Sequence, residues 1–182
     1  LLSTDGSEAM VEQARRRARE LGYGDDKAQC RVMEAEWLDL SAATVDGVLC
    51  RWGYMLLADP EAALRETRRV LRPDGRVALA AWASPQENPW SSVMGRLLVD
   101  LGHVPAPDPA APGMFSFARA GHVEELLAGV GFTEVQAAYV DFAFRPADLD
   151  VWWSYTTDTS PSLRAVLPRL SPAEHYALRD AV

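Results

Sequence analysis

The sequence predicts an α/β fold built on a mostly parallel sheet. Three observations support this prediction. Helix-like and strand-like segments alternate through the first half of the chain, a Pro-Asp-Gly turn joins a helix tail to a strand, and that strand, "VALAAW" (Val77–Trp82), is almost continuously apolar. Because a strand of that kind is typical of a sheet covered on both faces, we expect helices on both faces.

The first helix is predicted from its cap and its spacing. Ser7 is a good N-cap, apolar residues recur at helical spacing between Met10 and Leu21, and Gly22 ends the helix. The segment Cys30–Glu34 ("CRVME") is then predicted as a short strand. A second strand is predicted at Val45–Trp52 ("VDGVLCRW"), weakened locally by a glycine.

The second helix begins where an N-cap residue, Asp59, is followed by Pro60 at the first helical position. One face of this helix is apolar, and it comprises Ala63, Leu64, Thr67, Val70 and Leu71. The turn Pro73-Asp74-Gly75 leads from the helix into the strand Val77–Trp82.

The second half of the chain changes character. Four prolines in His103–Gly113 predict an extended connection, and a helix is predicted near His122–Gly129. We divide the single domain 1–182 into a scaffold (1–84), a lid-forming insertion (85–131), the last strands (132–145) and a C-terminal helical segment (146–182). Prolines at three positions should break that last segment into short helices: Pro161, Pro168 and Pro172.

Composition excludes several classes of function. The net charge of −8 argues against nucleic acid, whose binders carry a basic stripe. No apolar run is long enough for a membrane span, and no signal-peptide pattern is present. Two cysteines cannot form a disulfide framework or, by themselves, a four-ligand metal site, so we expect free thiols, no metal and a cytoplasmic location.

Four ordered segments carry a family resemblance: "LLSTDGSEAMVEQARRRA", "RVMEAEWLDL", "VDGVLCRWGYMLLADPEAALRETRRVLRPDGRVALAAW" and "GFTEVQ". Together they resemble class I S-adenosylmethionine-dependent methyltransferases, in the bacterial-type branch that includes quinone-biosynthesis methyltransferases. The resemblance implies a Rossmann-like doubly wound sheet with an α-helical cap or lid from the C-terminal half. It also implies S-adenosylmethionine as the cofactor and a small-molecule acceptor as the partner, with a homodimer as one possible assembly.

The resemblance places two cofactor-binding residues at the end of the first strand. Asp5 matches the acidic residue that holds both ribose hydroxyls, and Gly6 borders the same pocket. A carboxylate suits this role because its two oxygens can accept from two vicinal hydroxyl groups. The other interpretation of Asp5 is an acid favoured at a helix N-terminus by the macrodipole.

Glu34 and Ala35 match the family's adenine-binding pair. There the carboxylate accepts from the amino group, and the next backbone N–H reaches a ring nitrogen. The family usually has Asp, which is one methylene shorter than Glu34. Trp37 is predicted either to pack beside the adenine or to be a buried scaffold residue.

The end of the next strand supplies Cys50 and Arg51, because open α/β sheets bind ligands beyond the carboxyl ends of their strands. The Cys50 carbonyl could receive the cofactor's amino group, and Arg51 could face the cofactor carboxylate or the substrate. Cys50 could equally be a small buried apolar residue.

The acceptor pocket is expected to be apolar or aromatic, formed by Trp52, Trp90, Phe115 and Trp152. Core packing beneath a helical cap is the alternative for most of these rings. No catalytic residue is assigned, since methyl transfer needs a general base only when the acceptor must lose a proton. His103, His122 and His175 are the candidates for that base.

One piece of the family pattern is missing from the sequence. The family's first strand and its GxGxG loop have no counterpart here, since "GYG" at Gly22–Gly24 follows a helix. We therefore expect a longer protein, and in this chain either a gap or another chain's segment between the first strand and Val45–Trp52. The missing loop also supports an alternative, a catalytically inactive relic that serves as a binding or dimerisation module. A nicotinamide-dependent oxidoreductase is a weaker possibility.

Overall fold

The computed structural model describes residues 1–108, 111–143 and 145–180. The chain forms two compact units. The first comprises Leu1–Ala81, Pro112–Met114 and Ala120–Gln136, and the second comprises Trp82–Ala111, Phe115–Arg119 and Ala137–Val182. The expected segments were 1–84, 85–131, 132–145 and 146–182, and the helix at 122–129 groups here with the first unit.

The first unit opens with a strand, a helix and a strand. Strand β1 (Leu2–Asp5) pairs in parallel with β2 (Gln29–Val32), and helix α1 (Glu8–Glu20) connects them. Ser7 caps α1 as predicted, since its Oγ accepts from the Met10 N–H at 3.4 Å. Gly22 adopts φ +77°, a conformation open to glycine, and so allows the chain to turn after the helix.

The same unit contains a second parallel pair. Strand β3 (Val45–Arg51) pairs with β4 (Leu71–Ala80), and helix α2 (Pro60–Val70) packs against β4. Asp59 caps α2 through a 2.8 Å bond from the Ala62 N–H. The predicted Pro-Asp-Gly turn is an irregularity within β4, because the pairing partner of β4 shifts from Val45 to Gly47 across it.

The two strand pairs form separate sheets in the described residues. The prediction that the first strand would not pair with Val45–Trp52 is therefore confirmed. The sequence predicted a sheet covered on both faces, but one face of the β3–β4 pair is exposed. Leu49 is 83% exposed in the middle of that face, whereas the opposite face, which carries Val48 and Cys50, is half-buried. Helix α2 covers one side of the pair, and the described residues do not shield Leu49 on the other.

The second unit is helical. It contains α3 (Pro89–Asp100), α5 (Leu149–Thr159), α6 (Pro161–Val166) and α7 (Pro172–Asp180), while α4 (His122–Gly129) belongs to the first unit. A buried cluster joins α3, α6 and α7, and consists of Met94, Leu98, Leu163, Val166 and Leu178. The predicted proline breaks agree with these helices, since Pro161 and Pro172 begin helices and Pro168 lies in a short 3-10 turn.

The expected strands at 132–145 are not formed in the described residues 132–143 and 145. A strand requires hydrogen bonds to a neighbouring strand, and the described residues of this segment form no such pairing. Tyr139 and Val140 are 72% and 83% exposed. Phe144 lies outside the described residues. No helix among the described residues combines the length and the apolar character needed to cross a bilayer.

Candidate active site

Parallel pairing brings the carboxyl ends of β1 and β2 to one edge. Asp5 pairs with Val32, and the Met33 N–H donates to the Asp5 carbonyl oxygen at 3.1 Å. Glu34 follows directly, so two of the predicted acidic residues lie at the same edge of the sheet. Both side chains belong to exposed residues, which leaves their carboxylates available to a ligand.

Gly6 separates the two acids. A Cβ atom placed on Gly6 would lie 3.1 Å from Glu34 Oε2 and 3.4 Å from Glu34 Cδ, so the carboxylate of Glu34 fills the space beside the glycine. Asp5 Oδ1 accepts from the Ser7 N–H at 2.8 Å, which fixes the direction of the Asp5 carboxylate. The structure thus places Glu34 beside Gly6, the residue that follows Asp5.

A tight turn follows Glu34 and contains Ala35. The Trp37 N–H donates to the Glu34 carbonyl oxygen at 3.2 Å, and the two residues form an isolated antiparallel bridge. Ala35 is half-buried within this turn. Trp37 is 79% exposed, which excludes the interpretation of a buried scaffold residue.

The chain beyond Trp37 is held against α2. Glu66 Oε2 accepts from the Leu38 N–H at 2.9 Å, and Arg69 donates to the carbonyl oxygens of Leu38 and Leu40 at 2.8 and 2.7 Å. The hydrogen bond from Arg69 holds the pKa of the Glu66 carboxyl below its usual value. Sequence patterns gave no indication of this clamp, because its members lie almost thirty residues apart.

The end of β3 carries Cys50, Arg51 and Trp52. The Cys50 thiol folds towards the following turn, since its Sγ lies 2.6 Å from where a Cβ on Gly53 would stand. A side chain at position 53 would therefore force the Cys50 thiol to move. The Arg51 guanidinium lies 4.6 Å from the centre of the Trp52 ring, a cation–π contact.

The donor and acceptor set fits an S-adenosyl ligand. Two carboxylates on neighbouring strand ends can accept from ribose hydroxyls and from an amino group, which are the donors such a ligand offers. Asp5 and Glu34 would hold these groups, and the turn at Ala35 could offer a backbone N–H. Cys50 and Arg51 lie at the carboxyl end of a different strand, where ligands of open α/β sheets also bind.

An apolar groove in the second unit has a volume of about 480 Å³. It brings together two of the predicted pocket residues, Trp90 at the start of α3 and Trp152 in α5. Trp82 contacts Trp90 edge-to-face at 5.2 Å and Phe142 at 5.8 Å, which fixes the orientation of the Trp90 ring. The remaining walls are residues that sequence analysis did not select: Pro89, Val93, Pro146, Asp148 and Leu149.

The other predicted pocket residues do not line this groove. Trp52 belongs to the first unit, and Phe115 is half-buried with its carbonyl oxygen bound to the Ala118 N–H at 3.0 Å. His103 Nε2 lies 3.9 Å from Glu174 Oε1, and the His175 ring meets Trp153 at 5.4 Å.

His122, the third candidate base, is the first residue of α4 and is half-buried. Among the described residues, no group of three or more His, Cys, Asp or Glu side chains is placed to hold a metal ion.

Comparison with known families finds a match for the segment that contains the two strand pairs. Residues 1–79 match the model of the family described as "Methyltransferase domain". These residues are similar to the methyltransferase-domain family. The match ends just short of the last residue of β4, and it includes Asp5, Glu34 and Cys50. The resemblance to class I S-adenosylmethionine-dependent methyltransferases is thereby confirmed for this segment.

The methyltransferase domain also has a curated relative of similar sequence. A demethylmenaquinone methyltransferase from Clavibacter sepedonicus is 31% identical over 85 residues, which is 47% of this chain and 33% of that protein. The chain therefore spans about a third of the length of this curated relative.

Two solved structures share the fold over nearly the whole chain. A protein from Bacillus halodurans, described as a candidate methyltransferase, is 16% identical with a TM-score of 0.60 and covers 97% of this chain and 71% of its own. The YcgJ protein of Bacillus subtilis is 22% identical with a TM-score of 0.57, over 97% of this chain and 70% of its own. These likenesses establish a Rossmann-like fold with a parallel sheet.

Proposed function

We propose that this protein transfers a methyl group from S-adenosylmethionine to a small apolar or aromatic acceptor. The observation that carries the proposal is the position of the Glu34 carboxylate against Gly6, the residue after Asp5, inside the segment that matches the methyltransferase-domain family. Two carboxylates at adjacent strand ends are matched to the two sets of donors on an S-adenosyl ligand.

Each residue of this corner has a distinct role in the proposal. Asp5 accepts from the ribose hydroxyls, and its bond from the Ser7 N–H keeps the carboxylate in one direction. Glu34 accepts from the adenine amino group, while the Ala35 N–H reaches a ring nitrogen. Cys50 and Arg51 hold the amino-acid end of the ligand, through a backbone carbonyl and a guanidinium.

When bound, S-adenosylmethionine supplies an electrophilic methyl group on a sulfonium centre. The protein's residues then have to align the acceptor with that group and exclude water, and no covalent nucleophile is required. A proton acceptor is needed only for a hydroxyl or similar group on the acceptor.

The acceptor is proposed to bind in the groove of Trp90 and Trp152. Its walls are mainly indole rings, prolines and aliphatic side chains, which favour a flat or aliphatic molecule over a charged one. Asp148 is committed to the N-terminus of α5, where its Oδ1 accepts from the Val151 N–H at 2.8 Å. The curated relative is named demethylmenaquinone methyltransferase, and this name supports an apolar acceptor.

A non-catalytic module built on the same fold is the competing function. The two unjoined strand pairs are the observation in its favour. The family match, together with the paired carboxylates at the strand ends, favours methyl transfer instead, because a relic has no need to keep both ligand-binding acids in place.

Calorimetric titration of S-adenosylhomocysteine into the intact protein tests the proposal. Asp5→Ala should weaken binding by about 2–4 kcal/mol, because two hydroxyl groups lose a charged acceptor. Asp25→Ala, which removes an exposed carboxylate from the loop before β2, is the matched control and should bind as the wild type does. Absence of heat and of a thermal shift at millimolar ligand would leave the non-catalytic module as the better explanation.

A further inference from the structure

The chain between β2 and β3 is bound to the last turn of α2 at Arg69. The Arg69 guanidinium donates to the carbonyl oxygens of Leu38 and Leu40 at 2.8 and 2.7 Å. The Arg69 carbonyl oxygen accepts from the Ala43 N–H at 3.0 Å. Arg69 therefore binds the connecting segment 38–43 at both ends, through its side chain and through its backbone.

The Arg69 side chain is held in turn by Glu66. The two side chains meet at 2.7 Å, and Glu66 Oε2 also accepts from the Leu38 N–H at 2.9 Å. These side chains are 19% and 36% exposed for Glu66 and Arg69, whereas both side chains of the Arg65–Glu61 pair in the same helix are more than half exposed. Exposed pairs of that kind contribute little to stability. The pair of Glu66 and Arg69 instead makes charge-assisted hydrogen bonds to the backbone of the connecting segment.

The connecting segment lies between two parts of the candidate site. Glu34 precedes it, just beyond β2, and Cys50 follows it on β3. The two strand pairs form separate sheets in the described part of the chain, so no strand hydrogen bonds there set the distance between these two residues. Helix α2 packs against β4, which pairs with β3. The clamp of Glu66 and Arg69 thus ties the segment after Glu34 to the strand pair that carries Cys50.

We propose that Arg69 is a positioning residue that sets the separation between the nucleoside end and the amino-acid end of the ligand site. The inference rests on the proposed function, because that function places the nucleoside beside Glu34 and the amino-acid end beside Cys50. Arg69 acts through the connecting segment and not on the ligand. Two linked contacts reinforce each other only when their spacing matches the ligand. A change at Arg69 should therefore affect a ligand that reaches both ends, and not a ligand that occupies one end.

Arg69→Ala removes the side-chain bonds to the connecting segment without changing a residue of the proposed site. S-adenosylhomocysteine reaches both ends of that site, whereas adenosine carries the nucleoside alone. Linking two contacts raises affinity by about 10²–10⁴-fold when the geometry fits, and a changed separation loses part of that gain. We expect Arg69→Ala to bind S-adenosylhomocysteine about tenfold more weakly and to bind adenosine as the wild type does.

Two further variants show whether the loss comes from the clamp. Arg69→Lys keeps the charge but lacks the planar fork that reaches two carbonyl oxygens, so its affinity for S-adenosylhomocysteine should lie between those of the wild type and Arg69→Ala. Arg65→Ala removes an exposed arginine one turn earlier in α2 and is the matched control, which should bind both ligands as the wild type does. If Arg69→Ala does not fold, Arg69→Lys takes its place and should still lose affinity for S-adenosylhomocysteine alone.

Calorimetry measures the binding of S-adenosylhomocysteine and ligand-observed NMR titration that of adenosine, both on the intact proteins after circular dichroism has shown equal folding. If the wild type binds S-adenosylhomocysteine and Arg69→Ala binds it equally well, the positioning role is wrong and the proposed function stands. An equal loss for both ligands would show that the clamp supports the nucleoside end alone, and it would overturn the role in spacing. If the wild type binds neither ligand, the proposed function is wrong and the inference falls with it.

Discussion

Gly6→Ala gives the sharpest test of the place where the Glu34 carboxylate packs against the residue after Asp5. Gly6 does not belong to the glycines with positive φ, so alanine can adopt its backbone conformation without strain. The new Cβ would stand 3.1 Å from Glu34 Oε2, closer than an ordinary van der Waals contact. The Glu34 carboxylate must therefore withdraw by a few tenths of an ångström.

The expected loss of binding free energy follows from the hydrogen bond that the Glu34 carboxylate is proposed to accept. A hydrogen bond to a charged group contributes about 1.5–3 kcal/mol, and a displaced acceptor loses part of it. We expect S-adenosylhomocysteine to bind about 1–2 kcal/mol more weakly to Gly6→Ala, which is about a fivefold to thirtyfold change. Stability should not fall, because replacing glycine by alanine at a compatible position favours the folded state by about 0.4–1 kcal/mol.

A second substitution identifies the cause of the loss. Glu34→Asp withdraws the carboxyl group by about one carbon–carbon bond, roughly 1.5 Å, and so removes the contact with the new methyl group. Calorimetry on the wild type, both single variants and the double variant then measures the coupling between the two positions. We expect Gly6→Ala to weaken binding less in the Glu34→Asp background than in the wild type. Equal losses in both backgrounds would show that Gly6 does not act through Glu34 and would refute the reasoning.

Two further predictions concern stability. Leu64→Ala should cost about 2–5 kcal/mol in urea unfolding because Leu64 is fully buried, whereas Leu49→Ala should cost less than about 0.5 kcal/mol because Leu49 is 83% exposed. A large loss from Leu49→Ala would show that its face is covered in the protein under test. Burial raises the pKa of the Tyr54 hydroxyl to about 12 from 10.0, so the folded state holds this proton more tightly than the unfolded state does. This contribution to the stability of the folded state is complete below pH 10, and about 2 kcal/mol of it is lost as the pH rises to 12. Unfolding curves between pH 9 and 12 should show this loss, and Tyr54→Phe, which also loses the 2.5 Å bond to Thr67, should remove it; an unchanged pH dependence in the variant would contradict the assignment.

Local chemistry allowed the helices to be predicted from the sequence. Ser7 and Asp59 cap α1 and α2 as expected, and the boundaries of α4 agree with the predicted His122–Gly129. Caps and proline positions act over three or four residues, so a linear pattern contains them. The predicted strands at 132–145 do not form in the described residues. A strand needs hydrogen bonds to a neighbouring strand, and a local sequence pattern does not show which strand that neighbour is.

The acidic residues of the candidate site were predicted from the family resemblance of the segments that contain them, and Asp5 and Glu34 lie at or just beyond the carboxyl ends of two parallel strands. Tertiary structure decided the rest. The contact between Gly6 and Glu34 depends on the register of β1 and β2, and the exposure of Trp37 depends on the clamp from α2. Trp90 and Trp152 share a groove although sixty residues separate them, because packing between helices rather than spacing along the chain brings their rings together.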